Sequence, residues 1–301
     1  MSSVMKFWHL DDSDLPIDMS SQGHYADRFR IRKPDDKEYS LKSHLNSSAI
    51  QRWEDEKYRS NYEAIFRGDR ESLDPWCMDN RPNAITDLYQ AQGSCSAFHA
   101  MQGWLSMSNC GPREDTLRLL SSLKLTTASM MLRPFFTYDE EERFDPTQPA
   151  FPGATPGEDN SFLRRSFFLI CNLKKTLFSV PKVRPGDYMF WHCDFAHEVE
   201  SSQNGAENSS VFCNTSMPLF PYKIENMLRM RQDFRDVVPP RDFAKDFWGP
   251  CELEKDHVAR EGNILSLEGR RASDLERFED EEGLSSGQEA VKRMANEAMK
   301  E

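Results

Sequence analysis

Paired cysteines are missing from this sequence. Its seven cysteines are scattered, odd in number and never arranged as a CxxC pair. This pattern argues against a disulfide framework and against a zinc–cysteine site, and it is typical of thiols kept in a reducing compartment. We therefore expect a cytoplasmic protein.

Long apolar runs and basic stretches are also missing. The longest apolar run, SFFLIC at 166–171, is far too short to cross a bilayer, and the N-terminal MSSVMKFWHLDDSDLP has no apolar core of signal-peptide length. The formal net charge is −12 and the pI is near 5.2, so a phosphate backbone would be repelled. We expect no membrane and no nucleic acid among the partners, which leaves a small-molecule substrate or another protein. The oligomeric state stays open.

Aromatic residues, by contrast, are plentiful. The 301 residues include 20 Phe and 6 Trp, which is enough for a buried core and unlike a disordered chain. Short strand-like runs recur at intervals of roughly ten residues, with turn residues between them, and this predicts a mainly β fold with helical additions, a sandwich or a barrel. The predicted organisation is a polar lead over 1–24, a β core over 25–218 and a helical C-terminal extension over 219–301.

One strand prediction concerns which side chains face the core. Phe29 and Ile31 alternate with arginines, which predicts a half-buried strand. In that interpretation Arg30 and Arg32 face outward.

Three other segments carry secondary-structure predictions. Residues 50–68 place apolar residues at helical spacing, and Gly68 is a plausible end for that helix. Residues 127–136, TASMMLRPFF, are predicted as a strand. The last fifteen residues or so are expected to be loosely attached.

The stretch PGDYMFWHCDFAHEVE, residues 185–200, brings four potential metal ligands within six positions: His192, Cys193, Asp194 and His197. A mononuclear non-haem iron site uses two imidazoles and one carboxylate on one side of the metal. Residues i and i+2 of a strand lie on the same face, so a His-x-Asp pair is one half of such a site. A distant histidine supplies the other half.

Two ligand sets agree with this rule. In one, His192 and Asp194 form the pair, and the distant ligand is His257, in a charged, helix-like segment outside the β core. In the other, His197 is the late ligand and the early pair begins at His44. We favour the second set because it keeps every ligand on the β core and because His197 follows the Pro-Gly-Asp turn. A third explanation is a hydrogen-bonded core histidine without any metal.

Six stretches, in consistent order, resemble one family: YADRFRIR, LKSHLNSSAIQRWEDEKYR, IFRGDRESLDPW, MQGWLSMSNCGPREDTL, MMLRPFF and VRPGDYMFWHCDFAHEVE. They resemble the bacterial and fungal glucosamine-induced-gene-like family over about residues 24–270. The resemblance implies a double-stranded β-helix core, the jelly-roll or cupin-like fold, and an iron(II)/2-oxoglutarate-dependent dioxygenase-like activity. Family members are usually longer at the N-terminus, so the chain resembles a shortened member.

The resemblance also implies site residues. The family's early His-x-Asp motif corresponds to His44-x-Asn46 in this sequence, so His44 and His197 match the imidazole ligands of Fe(II) and Asn46 matches the carboxylate position. An amide oxygen is a neutral and weaker donor than a carboxylate, which implies weakened iron binding. Arg133 and Thr116 are the candidates for binding 2-oxoglutarate, whose carboxylate needs a cation.

Two function classes follow from these residues. The first is an oxidoreductase that uses Fe(II) and 2-oxoglutarate on a small metabolite. The second is a catalytically impaired or non-catalytic family member that acts as a binding protein, and Asn46 favours it. Arg30 and Arg32 rank behind Arg133 as the cation for 2-oxoglutarate.

Overall fold

The computed structural model describes residues 2–37, 43–45, 51–82, 84–85, 88, 98–137, 143–147, 176–238, 259–279 and 281–300. One of the strand-like runs, RSFFLICNL at 165–173, lies outside the described residues.

The described strands form two antiparallel sheets. In chain order they are β1 Asp18–Arg32, β2 Met101–Ser106, β3 Leu117–Leu120, β4 Leu177–Ser179, β5 Tyr188–His192, β6 His197–Val199 and β7 Ser209–Leu219. The first sheet has the order β1-β7-β2-β5 and the second the order β4-β3-β6. The chain therefore leaves the first sheet after β5 and enters the second sheet at β6.

Helices flank these sheets. The α-helices are α1 Ser2–Met5, α2 Gln51–Glu54, α3 Glu56–Ser60, α4 Glu63–Phe66, α5 Leu123–Leu132, α6 Pro221–Asp236, α7 Leu267–Ala272 and α8 Ser286–Ala298, with 3-10 turns at Arg70–Ser72, Arg133–Phe135 and Glu261–Asn263. Within the described part of the chain, no helix is both long enough and apolar enough to cross a membrane.

The two sheets share a core. One buried cluster joins side chains from the first sheet (Trp104, Trp191 and Val211) to side chains of the second sheet and its flank (Leu117 and Val180). Alternate residues of a strand point to opposite faces, so each strand gives only one face to this layer. The prediction of a mainly β fold with helical additions is confirmed.

The strand predicted at 127–136 was wrong, because these residues belong to α5 and the 3-10 turn after it. The buried side chains of α5 include Thr126, Thr127, Met130 and Met131, a spacing of three and four residues that suits one helix face. Short apolar runs do not separate strand from helix by periodicity. Pro134 then ends the regular helix.

The outward orientation predicted for Arg30 and Arg32 was also wrong. Phe29 and Ile31 are 54% and 55% exposed, whereas Arg32 is 1% exposed. The register of β1 against β7 shifts between Ala26 and Phe29, and such a bulge exchanges the faces that later residues present. Arg30 and Arg32 both pair with the carboxylate of Asp115, at 3.1 and 2.8 Å, which makes the inward orientation favourable.

The helix predicted over 50–68 is divided into α2, α3 and α4. The division has a local cause, since the Asp55 side chain accepts a hydrogen bond from the Tyr58 N–H and caps a new helix start. Gly68 ends the segment as predicted: its φ of +80° is one that glycine adopts without steric cost.

The C-terminal segment is packed against the body of the protein, so the expectation of a loose attachment was wrong. In α8, Val291 and Ala295 are fully buried. The Lys292 ammonium lies 3.6 Å from the buried Asp18 carboxylate at the start of β1, and Gln288 donates to the same carboxylate at 2.9 Å. These polar contacts hold α8 in one position.

Candidate functional site

His44 and His197 are brought together by the edge of the second sheet. The N–H of each residue donates to the carbonyl of the other, at 2.9 and 3.0 Å, so the segment 43–45 pairs with β6. Two residues paired in this way place their side chains on the same face. The ring centroids are 4.4 Å apart, and both histidines are buried. The pairing of an early and a late histidine is therefore present.

His197 is held in one tautomer. Its Nδ1 lies 2.9 Å from the Phe195 carbonyl oxygen, which can only accept, so Nδ1 carries the proton and Nε2 keeps its lone pair. Burial, and next the neighbouring His44, lower the pKa of His197 well below its ordinary value. A neutral imidazole with a fixed N–H on one nitrogen and a lone pair on the other is the form that binds metal ions.

His197 follows β5, and its surroundings include the turn before that strand and the Trp191 side chain within it. Gly186 has φ +95° in the Pro-Gly-Asp turn, and Asp187 accepts from the Arg184 N–H at 2.7 Å, as expected for a turn residue. The Trp191 ring lies 5.0 Å from the His197 ring and its indole N–H donates to Gln102. The imidazole pair thus has an apolar wall on the inter-sheet side, which limits the access of water.

Asp194 is committed to a buried ion cluster and not to a metal. Its carboxylate lies 2.9 Å from Arg81 Nη2 and 3.6 Å from Arg52 Nη2, and it accepts from the Tyr62 hydroxyl at 2.8 Å. Burial acts to raise the pKa of Asp194, but Arg81, followed by His192 and Arg52, holds it well below its usual range. The carboxylate stays ionised and saturated with donors.

His192 has both ring nitrogens in use. Nε2 lies 2.8 Å from the Pro75 carbonyl oxygen and so must donate to it, while Nδ1 accepts from the Asp194 N–H at 3.0 Å. Ligand atoms of His192, Cys193 and Asp194 do lie within 4.8 Å of one another, yet their lone pairs are engaged. The ligand set built on His192 and Asp194 is therefore disfavoured, and its third member, His257, lies outside the described residues.

The third ligand position, at residue 46, is not among the described residues. Asn46 lies beyond the described residues 43–45. In the described ranges, no third His, Cys, Asp or Glu joins His44 and His197 with all ligand atoms within 4.8 Å. The described part of the site supplies two imidazoles and no carboxylate.

The two residues assigned to 2-oxoglutarate occupy different places. Arg133 is buried at the end of α5, and its Nη1 donates to the Phe136 carbonyl at 2.8 Å. Thr116 is buried just before β3, three residues ahead of Leu119, the partner of His197 in the sheet. That separation is about 10 Å along a strand. Their assignment to the co-substrate stays a prediction.

The cluster around Asp194 was missed by sequence reasoning. Arg52, Tyr62 and Asp194 also line a small cavity of about 10 Å³ whose wall includes Leu45, the neighbour of His44. The available sequence signal for Arg52 was its position beside Trp53 in one of the stretches that resemble the family. Arg81 lies far from Asp194 in sequence, and nothing in its local context announced the contact.

A pH dependence of stability follows from His192. Burial lowers its pKa to about 4 from about 6.5, so between these values the unfolded chain binds a proton that the folded chain does not. Stability should therefore fall as the pH falls through this window. For this residue the loss between pH 7 and pH 5 is about 2 kcal/mol. Urea unfolding of wild type and His192→Asn at both pH values measures it, and an equal pH dependence in both proteins would contradict the assignment.

Comparison with known proteins shows which family this chain resembles. A family model described as Gig2-like matches residues 1–275. The structure of GlcNAc Inducible Gene 2 (GIG2) from Candida albicans has a TM-score of 0.86 at 36% identity, covering 99% of this chain and 66% of that chain.

Two bacterial proteins are more distant. A Salmonella typhimurium LT2 protein named "Putative Oxidoreductase" has a TM-score of 0.68 at 22% identity, covering 90% of this chain and 62% of that chain. At this identity the likeness shows the fold alone. "Uncharacterized protein YbiU" of Escherichia coli K12 is 25% identical over 222 residues, covering 74% of this chain and 50% of YbiU. The chain thus spans half to two thirds of the length of these relatives.

Proposed function

The chain belongs to the Gig2-like family, and from this premise we propose that it is a non-haem iron(II)- and 2-oxoglutarate-dependent oxidoreductase of a small-molecule metabolite in the cytoplasm. The observation that carries the proposal is the buried pair of His44 and His197, joined through the backbone with ring centroids 4.4 Å apart. The name of the Salmonella relative supports the broader class of oxidoreductase.

The histidine pair suits iron(II). Imidazole nitrogen is a ligand that iron accepts, and the Phe195 carbonyl orients His197 with Nε2 as the donor. We assign His44 and His197 as imidazole ligands and the Asn46 amide oxygen as a third, neutral ligand. When bound, iron(II) activates dioxygen for oxidation of a C–H bond while 2-oxoglutarate is converted to succinate and carbon dioxide. Arg133 and Thr116 remain the candidates for holding 2-oxoglutarate.

The protein's own contribution is orientation and shielding. His197 lies between the two sheets beside Trp191, and this apolar contact reduces the exposure of the reacting centre to water. The two antiparallel sheets are interpreted here as the halves of a double-stranded β-helix. One histidine enters from the segment at the edge of the second sheet and the other from β6.

Iron loading and 2-oxoglutarate turnover test the proposal together. Protein reconstituted with Fe(II) under anaerobic conditions should bind about one iron per chain, as two imidazoles of one site require. On exposure to oxygen it should form succinate from 2-oxoglutarate. The matched control is His197→Ala, which should lose both properties. Wild-type protein that takes up no iron would overturn the proposal.

A second candidate function is a metal-poor binding protein of the same fold. The observation that favours it is Asn46 at the carboxylate position of the family motif, since an amide adds no negative charge to the site. No iron uptake after anaerobic reconstitution, and no succinate formation with candidate substrates present, would favour this function over the enzyme.

A further inference from the structure

A second group of metal-binding side chains lies at the surface, where the N-terminal segment meets the segment 74–79. Ligand atoms of His9, Asp11 and Cys77 all lie within 4.8 Å of one another. A fourth donor, the Asp74 carboxylate, lies 3.2 Å from His9 Nε2. The group combines one nitrogen, one sulfur and two carboxylates, which is a different donor set from an ordinary acidic patch. We propose that these four side chains form a zinc(II) site that fastens the two segments together.

The spacing of the donor atoms suits a tetrahedral ion. Zinc bonds of 2.0–2.3 Å at tetrahedral angles place neighbouring donors about 3.3–3.7 Å apart. His9 Nε2 lies 3.2 Å from Asp74 and 3.7 Å from Asp11, and Cys77 Sγ lies 3.9 Å from the other oxygen of Asp11. These three contacts are close to the spacing that a shared ion would impose, and the exposed Asp11 and Asp74 side chains can turn toward it.

Backbone hydrogen bonds hold the donors in place. The His9 N–H donates to the Trp76 carbonyl at 3.1 Å, and the Met78 N–H donates to the His9 carbonyl at 2.9 Å, which fixes His9 beside Cys77. The Trp76 N–H donates to Asp74 Oδ1 at 2.9 Å, so the other oxygen of that carboxylate turns toward His9. Second-sphere hydrogen bonds of this kind orient metal ligands.

Electrostatics also favours a cation. Asp79 accepts from the Asp11 N–H at 3.0 Å and adds a third carboxylate to those of Asp11 and Asp74. The ion pairs of His9 with Asp11 and Asp74 are too weak to draw three carboxylates together, because the side chains of His9, Asp11 and Asp74 are 44%, 76% and 53% exposed. Exposed ion pairs of this kind contribute little to stability. A dication would gain from every member of the group.

The site would anchor a layer that covers the inner core. Trp8, adjacent to His9, stacks on the His192 ring with centroids 4.6 Å apart, and Trp76, adjacent to Cys77, meets the same ring edge-on at 4.7 Å. A metal that joins His9 to Cys77 would therefore clamp both tryptophans over His192. This site is separate from the His44–His197 pair and independent of the proposed function.

Cobalt(II) substitution tests the site, because thiolate ligation gives a charge-transfer band in the near ultraviolet. Metal-stripped protein with one equivalent of Co²⁺ should show this band together with the visible bands of tetrahedral cobalt, and Zn²⁺ should displace it. Cys77→Ser should lose the thiolate band, and His9→Ala should weaken Co²⁺ binding at least tenfold. Zn²⁺ should also raise the thermal unfolding temperature of wild type by more than that of Cys77→Ser, which lacks the thiolate ligand.

Two controls separate this site from other thiols and from the histidine pair. Cys213→Ser removes a cysteine of similar partial burial elsewhere in the fold and should keep the band, as should His197→Ala. Far-ultraviolet circular dichroism of the metal-free variants checks their folding, and Asp74→Asn serves as a milder variant with reduced affinity. No thiolate band in wild type, or a band that survives Cys77→Ser, would overturn the proposal.

Discussion

Replacement of Arg81 by alanine is expected to lower the free energy of unfolding by about 4 kcal/mol, the usual effect of removing one partner from a buried ion pair. Arg81 is fully buried and its Nη2 lies 2.9 Å from the Asp194 carboxylate. The same guanidinium packs over the rings of Trp8, Tyr58 and Tyr62. Its removal leaves a cavity and an under-compensated carboxylate in a site that water does not reach.

Urea unfolding at pH 7 measures this loss. The matched control is Arg67→Ala, because Arg67 forms its ion pair with Glu63 at 3.5 Å on the surface, with side chains 67% and 57% exposed. That change should alter the free energy of unfolding by less than about 0.5 kcal/mol. Equal effects in the two variants would mean that the Arg81–Asp194 contact adds nothing beyond a surface pair.

The Asp194 cluster also marks the limit of what the sequence predicted. Strand parity placed Asp194 near a metal as the i+2 partner of His192, and both side chains are indeed buried together. Arg81 and Tyr62 nevertheless bind the Asp194 carboxylate, and the Pro75 carbonyl accepts the His192 Nε2–H; none of these partners is near them in sequence. The periodicity of a strand shows which side chains lie on the same face. It does not show which residues from distant parts of the sequence contact them there.

The same distinction explains the local successes and failures. The pairing of His44 with His197 was predictable because the family motif and the turn before β5 both set positions along the chain. The inward orientation of Arg32 was not, because it depends on a bulge in β1 and on the carboxylate of Asp115. In α5 the sequence composition was compatible with helix and strand, and tertiary packing decided between them.

The Asn46→Asp variant is expected to bind Fe(II) at least tenfold more tightly than wild type. The change restores a negatively charged oxygen two residues after His44, at the position that the family motif gives to the carboxylate. Changes in the outer shell of a metal site alone alter affinity by about 10–100-fold, so the exchange of a neutral for a charged ligand should reach at least the lower end of that range. Anaerobic titration against a competing chelator measures the dissociation constant.

Asn46→Ala is the matched control. Aspartate keeps the shape of asparagine and adds charge, whereas alanine removes the ligand oxygen. If Asn46 is a ligand, alanine should weaken iron binding while aspartate strengthens it, and His197→Ala in the Asn46→Asp background should abolish the gain. A gain in iron affinity together with faster succinate formation would show that Asn46 limits turnover. Equal affinities in wild type, Asn46→Asp and Asn46→Ala would mean that residue 46 does not face the metal. The third ligand of the His44–His197 site would then have to come from another residue.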